Sequence, residues 1–271
     1  MTILKDKIIF LTGGAQGIGY ECAKAYAEEG AKVIIAEKNE SVLQEAMHQL
    51  GDLHLGIGCD VANASDVKNA IDKTLALYGR IDAIHNNAGI ANPAKALHET
   101  TEAEWNDLMN INLKGIYHTV KHGFDALKNS QGCILNTSSL VGEIGQEMHA
   151  VYSATKGGIN ALTKSMALDY AKYKIRVNAV SPAGVWTTML RKWNDEQPAD
   201  VNMSKYLDDI HPLGYCPDGD VVADVCAFLL SDKARFITGC IMPVSGGAEL
   251  GYRNLNGEYH VGDTDKLNKK L

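Results

Sequence analysis

The sequence predicts an α/β fold, in which one doubly wound parallel sheet of seven strands is covered by helices on both faces. Short β-branched runs alternate with longer stretches of helical periodicity along nearly all of the 271 residues. This alternation is typical of parallel strands joined by right-handed helical crossovers. Seven predicted strands with six helices between them fit a single domain, which we place at residues 1–251.

Each predicted strand is a short, mostly apolar run. The strands are predicted at residues 7–11, 32–36, 53–59, 81–86, 133–138, 175–180 and 237–244. Apolar residues three or four apart predict helices near residues 17–29, 40–50, 64–78, 102–128, 151–173 and 218–230. Because a helix separates each strand from the next, the strands are expected to be parallel rather than paired in hairpins.

Two segments depart from this alternation. Residues 186–216 form a long insertion in which tryptophans and methionines are spread among charged residues. A connection of this length in a compact domain usually has a function, and we interpret it as a lid over an apolar substrate. Residues 252–271 form a polar tail, which predicts either exposed surface or a subunit contact.

The chain is acidic, with 26 lysines and arginines against 33 aspartates and glutamates and a formal charge of −7. Proteins that bind nucleic acid or anionic membranes usually present basic surfaces, so neither is predicted as a partner. The first apolar run is too short for a signal peptide or a membrane anchor. Six cysteines without a CxxC pair favour reduced thiols, and together these features predict a cytoplasmic protein.

A glycine-rich turn follows the first predicted strand, with Gly13, Gly17 and Gly19 in GxxxGxG spacing. Glycine permits close approach of the backbone to a pyrophosphate, and the helix N-terminus that follows supplies N–H groups and a positive dipole end. Glycines are common in turns, but the strand before and the helix after favour a Rossmann-type nucleotide site. The spacing differs from the GxGxxG of most dinucleotide folds.

Glu37 ends the second predicted strand. A carboxylate about twenty residues past the glycine turn can accept hydrogen bonds from the adenosine ribose and repels a 2′-phosphate, which favours NAD over NADP. The adjacent Lys38 could soften that repulsion, so some use of NADP stays open. A solvated strand end is the alternative interpretation of Glu37.

Tyr152 and Lys156 lie four residues apart at the start of a predicted helix, which places them on one face. A nearby ammonium favours the phenolate and brings a hydroxyl with a pKa of about 10 toward use as a general acid or base. The spacing YxxxK alone says little, because it also occurs at 20/24, 117/121 and 170/174. Only the 152/156 copy follows a strand ending in a serine pair, where Ser139 can hydrogen-bond a substrate oxygen. The other copies are interpreted as helix surface.

With these pieces in order, residues 5–250 resemble the short-chain dehydrogenase/reductase (SDR) family. The matching residues are Thr12, Gly13, Gly17, Gly19, Asp60, Val61, Asn87 to Gly89, Asn112, Ser139, Tyr152, Lys156 and Pro182 to Thr187. The resemblance implies that Tyr152 is the general acid/base and that Ser139 positions the substrate oxygen. It also implies that Lys156 holds the nicotinamide ribose and tunes Tyr152, while Asn112 anchors a water in a proton relay from Lys156 to solvent.

The resemblance implies a cofactor site as well. Asp60 and Val61 would contact adenine, and Asn87 to Gly89 would line the adenosine side. The family usually has glycine where this chain has Ala183, a small residue that we expect to preserve the contacts of its neighbours. The full set of predicted cofactor-binding residues is Gly13, Gln16, Gly17, Ile18, Gly19, Glu37, Asp60, Val61, Asn87, Ala88, Gly89, Tyr152, Lys156, Pro182, Val185 and Thr187.

The histidines have separate interpretations. His85 replaces an apolar residue expected late in the fourth strand, and we interpret it as a buried histidine with satisfied hydrogen bonds. His118 and His122 have a spacing compatible with one metal-binding face, but no third ligand lies nearby and no metal is predicted. The candidate substrate residues are Ser139, Met148, His149, Trp186, Met189 and Trp193, although the two tryptophans could instead pack at a subunit edge.

We therefore predict reversible hydride transfer between NAD and a secondary alcohol or ketone. The insertion favours a bulky or cyclic small-molecule substrate, such as a hydroxysteroid or a cyclic diol. A sugar or polyol is the next hypothesis, a 3-oxoacyl substrate the third, and a catalytically silent NAD-binding sensor the non-enzymatic one. The resemblance implies a homo-oligomer, a homotetramer or a dimer, in which helices 102–128 and 151–173 pair between subunits.

Overall fold

The computed structural model describes residues 2–91, 93–195 and 202–251, apart from the side chains of residues 192, 193 and 195. The tail at 252–271 and part of the insertion lie outside the described residues. Within these ranges seven parallel strands form one sheet, and they are β1 (Ile8–Thr12), β2 (Lys32–Glu37), β3 (Leu55–Gly58), β4 (Ala83–Asn86), β5 (Cys133–Thr137), β6 (Arg176–Pro182) and β7 (Ile241–Val244). The predicted seven-stranded parallel sheet is confirmed.

Helices connect successive strands and cover both faces of the sheet. The α-helices described are α1 (Gly17–Glu28), α2 (Glu40–Leu50), α3 (Ala64–Tyr78), α4 (Glu102–Leu108), α5 (Gly115–Ser130), α6 (Ala150–Tyr170), α7 (Thr188–Asp195), α8 (Met203–Asp209) and α9 (Asp220–Leu230). The helix predicted at 102–128 is divided by a π-helical turn, Met109–Lys114. None of the described helices combines the length and apolarity needed to cross a membrane.

Both faces of the sheet are buried, which explains why its strands are almost continuously apolar. On one face, Ile9 packs in the same core as Tyr26 of α1 and Val222 of α9. On the other face, Phe10 packs in the same core as Ile71 of α3. Neighbouring residues of β1 therefore serve opposite cores, as the side-chain alternation of a strand requires.

The helices that begin at the edge where the strands end differ in how their N-termini are capped. The Asn39 and Asn63 side chains cap α2 and α3, each accepting hydrogen bonds from two backbone N–H groups of the first turn. By contrast, Gln16 gives α1 no side-chain cap, and the first turn of α1 contains no acidic residue. The start of α1 therefore keeps both N–H donors and the positive end of the helix dipole open to an anion.

The strand order β3-β2-β1-β4-β5-β6-β7 reverses direction between β1 and β4. In such sheets, ligands bind in the crevice at the carboxyl ends of the strands beside this switch. The pairing register sets Thr12 opposite Asn86 and Asn86 opposite Asn136, and Thr137 follows directly. Three adjacent strands thus end in polar residues at one edge, although the strands themselves are apolar.

Candidate active site

A cleft of about 1020 Å³ opens at this edge of the sheet. Its volume is at the upper end of the range for small-molecule sites. All of the predicted cofactor-binding residues line it, namely Gly13, Gln16, Gly17, Ile18, Gly19, Glu37, Asp60, Val61, Asn87, Ala88, Gly89, Tyr152, Lys156, Pro182, Val185 and Thr187. The fold thus brings together residues that are far apart in the sequence.

The glycine turn presents bare backbone to the cleft. Gly13 and Gly17 have φ angles of +61° and +55°, a region that glycine adopts without strain. A Cβ on Gly19 would overlap the carbonyl oxygen of Gly13, so no side chain fits there. Together with the uncapped start of α1, this donor set fits the pyrophosphate of a dinucleotide cofactor.

Thr12 and Asn87 fasten the glycine turn to the ends of β1 and β4. The Thr12 hydroxyl oxygen accepts hydrogen bonds from the backbone N–H groups of Asn87 and Ala88, each at 3.1 Å. The Asn87 side-chain amide donates to the carbonyl oxygens of Gly13, at 2.9 Å, and Thr12, at 3.3 Å. The turn is therefore held in place by the segment that follows the neighbouring strand.

Glu37 ends β2 at the rim of the cleft, where its carboxylate accepts the N–H of Asn39 at 3.0 Å. The ammonium of Lys38 lies 2.7 Å from the Asp60 carboxylate. Burial raises the pKa of Asp60, but Lys38 and the N–H of Ala62 outweigh burial and hold this pKa below its usual value. The cation that could receive a 2′-phosphate is thus already paired with a carboxylate.

Tyr152 and Lys156, from the first turns of α6, meet Ser139, which follows β5. The Ser139 hydroxyl donates to the Pro182 carbonyl oxygen at 3.5 Å and lies close enough to the Tyr152 hydroxyl to lower the pKa of Tyr152. The Lys156 amine donates to the carbonyl oxygen of Thr137 at 2.9 Å and lies 5.5 Å from the centroid of the Tyr152 ring. A phenol, a hydroxyl and an amine are therefore gathered at one place in the cleft.

Burial dominates the protonation of this group. Burial raises the pKa of Tyr152 to about 12, and the nearby Ser139 hydroxyl offsets only part of the rise. Burial also lowers the pKa of Lys156 to about 8. The pKa of Tyr152 is thus raised, whereas the sequence led us to expect that Lys156 would lower it. Desolvation of the phenolate exceeds the effect of the Lys156 amine, which is bonded to Thr137.

Asn112 lies in the π turn and is buried. Its Nδ2 donates to the Ile90 carbonyl oxygen at 3.0 Å and to the Thr155 hydroxyl at 3.1 Å, while its Oδ1 accepts the Ile90 N–H at 2.9 Å. The Thr155 hydroxyl donates to the carbonyl oxygen of Tyr152 at 2.7 Å. Asn112 thus joins the turn after β4 to the helix that carries Tyr152, and π turns are frequent at functional sites.

Gly89 lies close to both Asn112 and Lys156. A Cβ on Gly89 would lie 3.4 Å from Asn112 Oδ1 and 3.7 Å from Lys156 Nζ. Asn112 does not itself belong to the lining of the cleft as the described residues define it. The water relay from Lys156 stays a prediction.

The opposite wall comes from the end of β6 and the start of the insertion. Pro182, Val185 and Thr187 line the cleft there. The Thr187 methyl group lies 3.4 Å from the place of a Cβ on Gly17, so a side chain on that glycine would narrow the cleft. Ala183 also lines the cleft, so the replacement of the family's glycine keeps this segment at the site.

The candidate substrate residues fall into two groups. Ser139, His149 and Met189 line the cleft, but Met148 and Trp186 do not appear in the lining that the described residues form. Met148 has a φ of +61°, and its side chain is exposed to solvent.

Trp186 instead closes the base of the insertion. Its backbone N–H donates to the Pro217 carbonyl oxygen at 2.8 Å, and the Arg191 guanidinium lies 5.0 Å from its ring. This arrangement makes Trp186 a packing residue at the base of the insertion. The side chain of Trp193 lies outside the described part of the chain.

Sequence reasoning missed much of the substrate end of the cleft. The additional apolar and polar lining residues there are Leu140, Val141, Ile144, Gln146, Leu190, Tyr206, Leu207 and Ile210. Ile210 follows Tyr206 by four residues and Leu207 by three, which is the spacing of one helix face and a usable signal. Those after Ser139 lie in a loop whose path the sequence does not indicate.

Two of the other YxxxK pairs, 20/24 and 117/121, lie on helices as predicted, but Lys174 of the third pair lies in a left-handed turn after the end of α6. The Tyr20 hydroxyl donates to the Gln49 side chain at 2.8 Å, Tyr117 is exposed beside Lys121, and the Tyr170 ring packs 5.3 Å from that of Phe124. None of these tyrosines belongs to the cleft lining formed by the described residues. The choice of the 152/156 copy therefore agrees with its position in the fold.

The histidines singled out in the sequence are bonded within the protein. His85 is fully buried, and its ring nitrogens lie 2.9 Å from the Tyr26 hydroxyl and the Thr137 hydroxyl. Its predicted burial with satisfied hydrogen bonds is confirmed. His118 is also buried, with Nδ1 2.9 Å from the Val61 carbonyl oxygen.

Known proteins resemble this chain over nearly its whole length. A family model described as enoyl-(acyl carrier protein) reductase matches residues 13–249. L-fucose dehydrogenase of Bos taurus is 37% identical over 253 residues, covering 93% of each chain. The 2,5-dichloro-2,5-cyclohexadiene-1,4-diol dehydrogenase of Sphingobium indicum is 34% identical over 249 residues, covering 91% of this chain and 98% of that one.

A solved structure agrees with the fold. The 3-ketoacyl-(acyl-carrier-protein) reductase from Brucella melitensis, complexed with NADH, superimposes with a TM-score of 0.85 at 29% identity. The match covers 91% of this chain and 99% of that chain. The glycine turn and the Tyr152 cluster thus lie in a fold that binds a nicotinamide cofactor in that neighbour.

Proposed function

The chain belongs to the short-chain dehydrogenase/reductase family and is an alcohol dehydrogenase or ketoreductase, and from that premise we propose that it transfers a hydride reversibly between NAD and a ring-shaped secondary alcohol. The observation that carries the proposal is the meeting of Tyr152, Ser139 and Lys156 in one cleft with the glycine turn. The cofactor, when bound, supplies the nicotinamide that accepts or returns the hydride.

The residues at the rim of the cleft favour NAD over NADP. Glu37 places a carboxylate at the end of β2, and the neighbouring Lys38 is already paired with Asp60. A 2′-phosphate would meet negative charge there, whereas ribose hydroxyls can donate hydrogen bonds to Glu37. NAD is therefore the cofactor that these charges accommodate.

Tyr152 is suited to act as the general acid/base. A phenol with a pKa of about 12 keeps its proton at neutral pH, so it can donate that proton to a carbonyl during reduction. In the oxidation direction the phenol must lose its proton, and positive charge at Lys156 favours that loss. Ser139, which lies beside the same hydroxyl, can hold the substrate oxygen next to it.

Asn112 and Thr155 support Tyr152 from behind. The hydrogen bonds from Asn112 to Thr155 and from Thr155 to the Tyr152 carbonyl oxygen hold the first turn of α6 against the π turn. A fixed phenol lowers the cost of aligning the reacting atoms. We assign Asn112 this structural role beside the water relay.

The substrate end of the cleft combines an apolar wall with a few polar groups. Leu140, Ile144, Met189 and Ile210 supply apolar surface, and His149 lies on the polar side. A ring with one apolar face and hydroxyl groups matches this lining, as a cyclic diol does. The likeness to the diol dehydrogenase supports the same substrate class.

A sugar in its ring form is the second candidate. The observation that favours it is the likeness to L-fucose dehydrogenase, which is 37% identical over nearly the whole chain. The polar lining residues Gln146, His149 and Asp209 offer hydrogen-bond partners for additional hydroxyl groups. Sugars and cyclic diols share a ring with a secondary hydroxyl, so both fit the same chemistry.

Turnover of NAD⁺ across a panel of substrates tests the proposal. NADH formation is measured with cyclic diols, pyranose sugars, hydroxysteroids and 3-hydroxyacyl thioesters. Tyr152→Phe should lower kcat by about 10²–10⁴-fold while NADH affinity changes little, because the change removes the proton-transferring oxygen and leaves the rest of the cofactor-binding set in place. Tyr117→Phe is the matched control on the surface copy of the same spacing. Full activity of Tyr152→Phe would contradict the assignment, and NAD binding without any turnover would favour the sensor.

A further inference from the structure

His85 is a fully buried side chain of β4 that hydride transfer does not use. Its Nδ1 lies 2.9 Å from the Tyr26 hydroxyl, and its Nε2 lies 2.9 Å from the Thr137 hydroxyl. It thus connects α1 with the end of β5 through the core of the sheet. A buried ring bonded at both ends lies in a fixed position and can hold its neighbours in turn.

Asn87 fixes the direction of these hydrogen bonds. Its Nδ2 donates to the Gly13 carbonyl oxygen at 2.9 Å, so its Oδ1 is the atom that accepts the Thr137 hydroxyl proton at 3.2 Å. A hydroxyl has one proton. Because the Thr137 proton goes to Asn87, the bond between Thr137 and His85 must be donated by His85 Nε2–H.

Tyr26 completes the chain at the other end. With the proton of the neutral ring on Nε2, Nδ1 is an acceptor and takes the Tyr26 hydroxyl proton. Burial raises the pKa of Tyr26 well above its usual value, so the hydroxyl keeps the proton that it donates. One continuous chain of donors therefore runs from Tyr26 through His85, Thr137 and Asn87 to the glycine turn at Gly13.

Thr137 also contacts the catalytic lysine. Its hydroxyl belongs to the chain of donors, and its carbonyl oxygen accepts the Lys156 amine at 2.9 Å. The position of this one residue therefore affects both the turn that fits a pyrophosphate and the amine beside Tyr152.

We propose that His85 is a positioning residue that, by donating from Nε2 to Thr137, holds the glycine turn in the geometry that binds the dinucleotide. The proposal rests on the proposed function, because the turn has this role only in a cofactor-binding protein. The loss of the donor would leave the buried Thr137 oxygen without its partner and free the hydroxyl to turn away from Asn87.

Two thiols adjoin the imidazole, which raises the alternative of a metal site. Donor atoms of Cys22, His85 and Cys226 lie within 4.8 Å of one another, and all three residues are buried. A metal would need the Nδ1 lone pair, which already accepts the Tyr26 proton, and Nε2 donates to Thr137. The hydrogen-bond chain therefore accounts for both ring nitrogens without an ion.

Three substitutions of His85 distinguish the effects of its hydrogen bonds to Thr137 and Tyr26. In His85→Gln the side-chain N–H can reach the place of Nε2, whereas His85→Asn is too short for Thr137 and His85→Leu retains neither bond. We expect the NADH dissociation constant to rise about tenfold in His85→Leu and His85→Asn, and by less than about threefold in His85→Gln. If His85 had a merely structural role, the substitutions would lower the melting temperature, but the folded His85→Gln variant would not bind NADH more tightly than the other two.

A double-substitution cycle tests the route through Thr137. Thr137→Val removes the hydroxyl but keeps the carbonyl oxygen that accepts Lys156. His85→Leu combined with Thr137→Val should bind NADH about as well as Thr137→Val alone, because both changes break the same chain. Full additivity of the two effects would overturn the proposal.

Other outcomes also decide the matter. Wild-type NADH affinity in His85→Leu, or equal weakening in His85→Gln and His85→Leu, would overturn the positioning role while leaving the proposed function intact. If the wild-type protein binds no NADH, the proposed function fails and the inference falls with it. Nitrogen NMR of the imidazole should show the Nε2–H tautomer, and stoichiometric metal that both His85→Leu and Cys22→Ser lose would overturn the proposal.

Discussion

The ammonium of Lys38 and the carboxylate of Asp60 form an ion pair of 2.7 Å at the rim of the cleft, next to Glu37. The lysine is largely exposed, and an exposed pair of this kind contributes little to stability. The pair matters instead for cofactor recognition. Asp60 offsets the positive charge of Lys38, which would otherwise attract a 2′-phosphate. We therefore expect cofactor choice to depend on three neighbouring charges rather than on Glu37 alone.

Glu37→Gln should shift cofactor preference toward NADP. The neutral amide no longer repels a 2′-phosphate, and we expect the ratio of NADP to NAD in kcat/KM to rise about tenfold, or about 1.4 kcal/mol. Kinetics with both cofactors and one alcohol measure the ratio. Glu45→Gln, on the exposed side of α2, is the control. An unchanged ratio in Glu37→Gln would mean that the carboxylate does not face the ribose.

Lys156 should make stability depend on pH in a defined window. Burial lowers its pKa in the folded protein from 10.5 to about 8, so between these values the unfolded chain binds more protons than the folded one. Below pH 8 the Lys156 amine is charged in both states, and the burial of that charge lowers the free energy of unfolding. This penalty disappears as the pH rises from 8 to 10.5. Relative to Lys156→Met, wild-type stability should therefore increase by about 3 kcal/mol over this window.

Urea unfolding at several pH values between 7 and 10.5 measures this difference. Lys164→Met, an exposed lysine on the same helix, serves as the control for a change of charge alone. A difference between wild type and Lys156→Met that stays constant over the whole window would contradict a buried amine with a lowered pKa.

The fold was predictable because the local sequence patterns of strands and helices match the elements that the sheet requires. The strands are apolar on both faces, and the capping residues Asn39 and Asn63 mark helix starts in the sequence itself. The division of the helix at Met109–Lys114 was not predictable, because its apolar periodicity continues through the π turn.

The candidate site was predictable to a smaller extent. The cofactor residues follow strand ends, which meet at one edge in any parallel sheet. The substrate wall depends on loop paths, so Met148, with its φ of +61°, is not among the described lining residues although its neighbour His149 lines the cleft. The pKa of Tyr152 depends on burial by distant segments, which no spacing of residues indicates.

Gly142→Ala should destabilise the protein by about 1–3 kcal/mol. A Cβ on Gly142 would lie 2.7 Å from the carbonyl carbon of Lys156, so α6 or the loop would have to move. Gly145→Ala in the same loop is the matched control, because nothing lies within 4 Å of its Cβ position. Chemical denaturation of both variants measures the difference. Equal stability of the two variants would show that the loop absorbs the extra methyl group without cost.

Met189→Ala should weaken binding of a ring-shaped substrate. Met189 lines the cleft from α7, and the loss of its apolar surface should raise KM for a cyclic diol about tenfold while NADH affinity stays unchanged. Met148→Ala is the matched control, since both methionines are exposed but Met148 does not belong to the cleft lining that the described residues form. Steady-state kinetics with a diol and with a pyranose sugar compare the two substrate classes. A larger loss for the sugar than for the diol would favour the sugar as the substrate, because the methionine would then pack against the sugar ring.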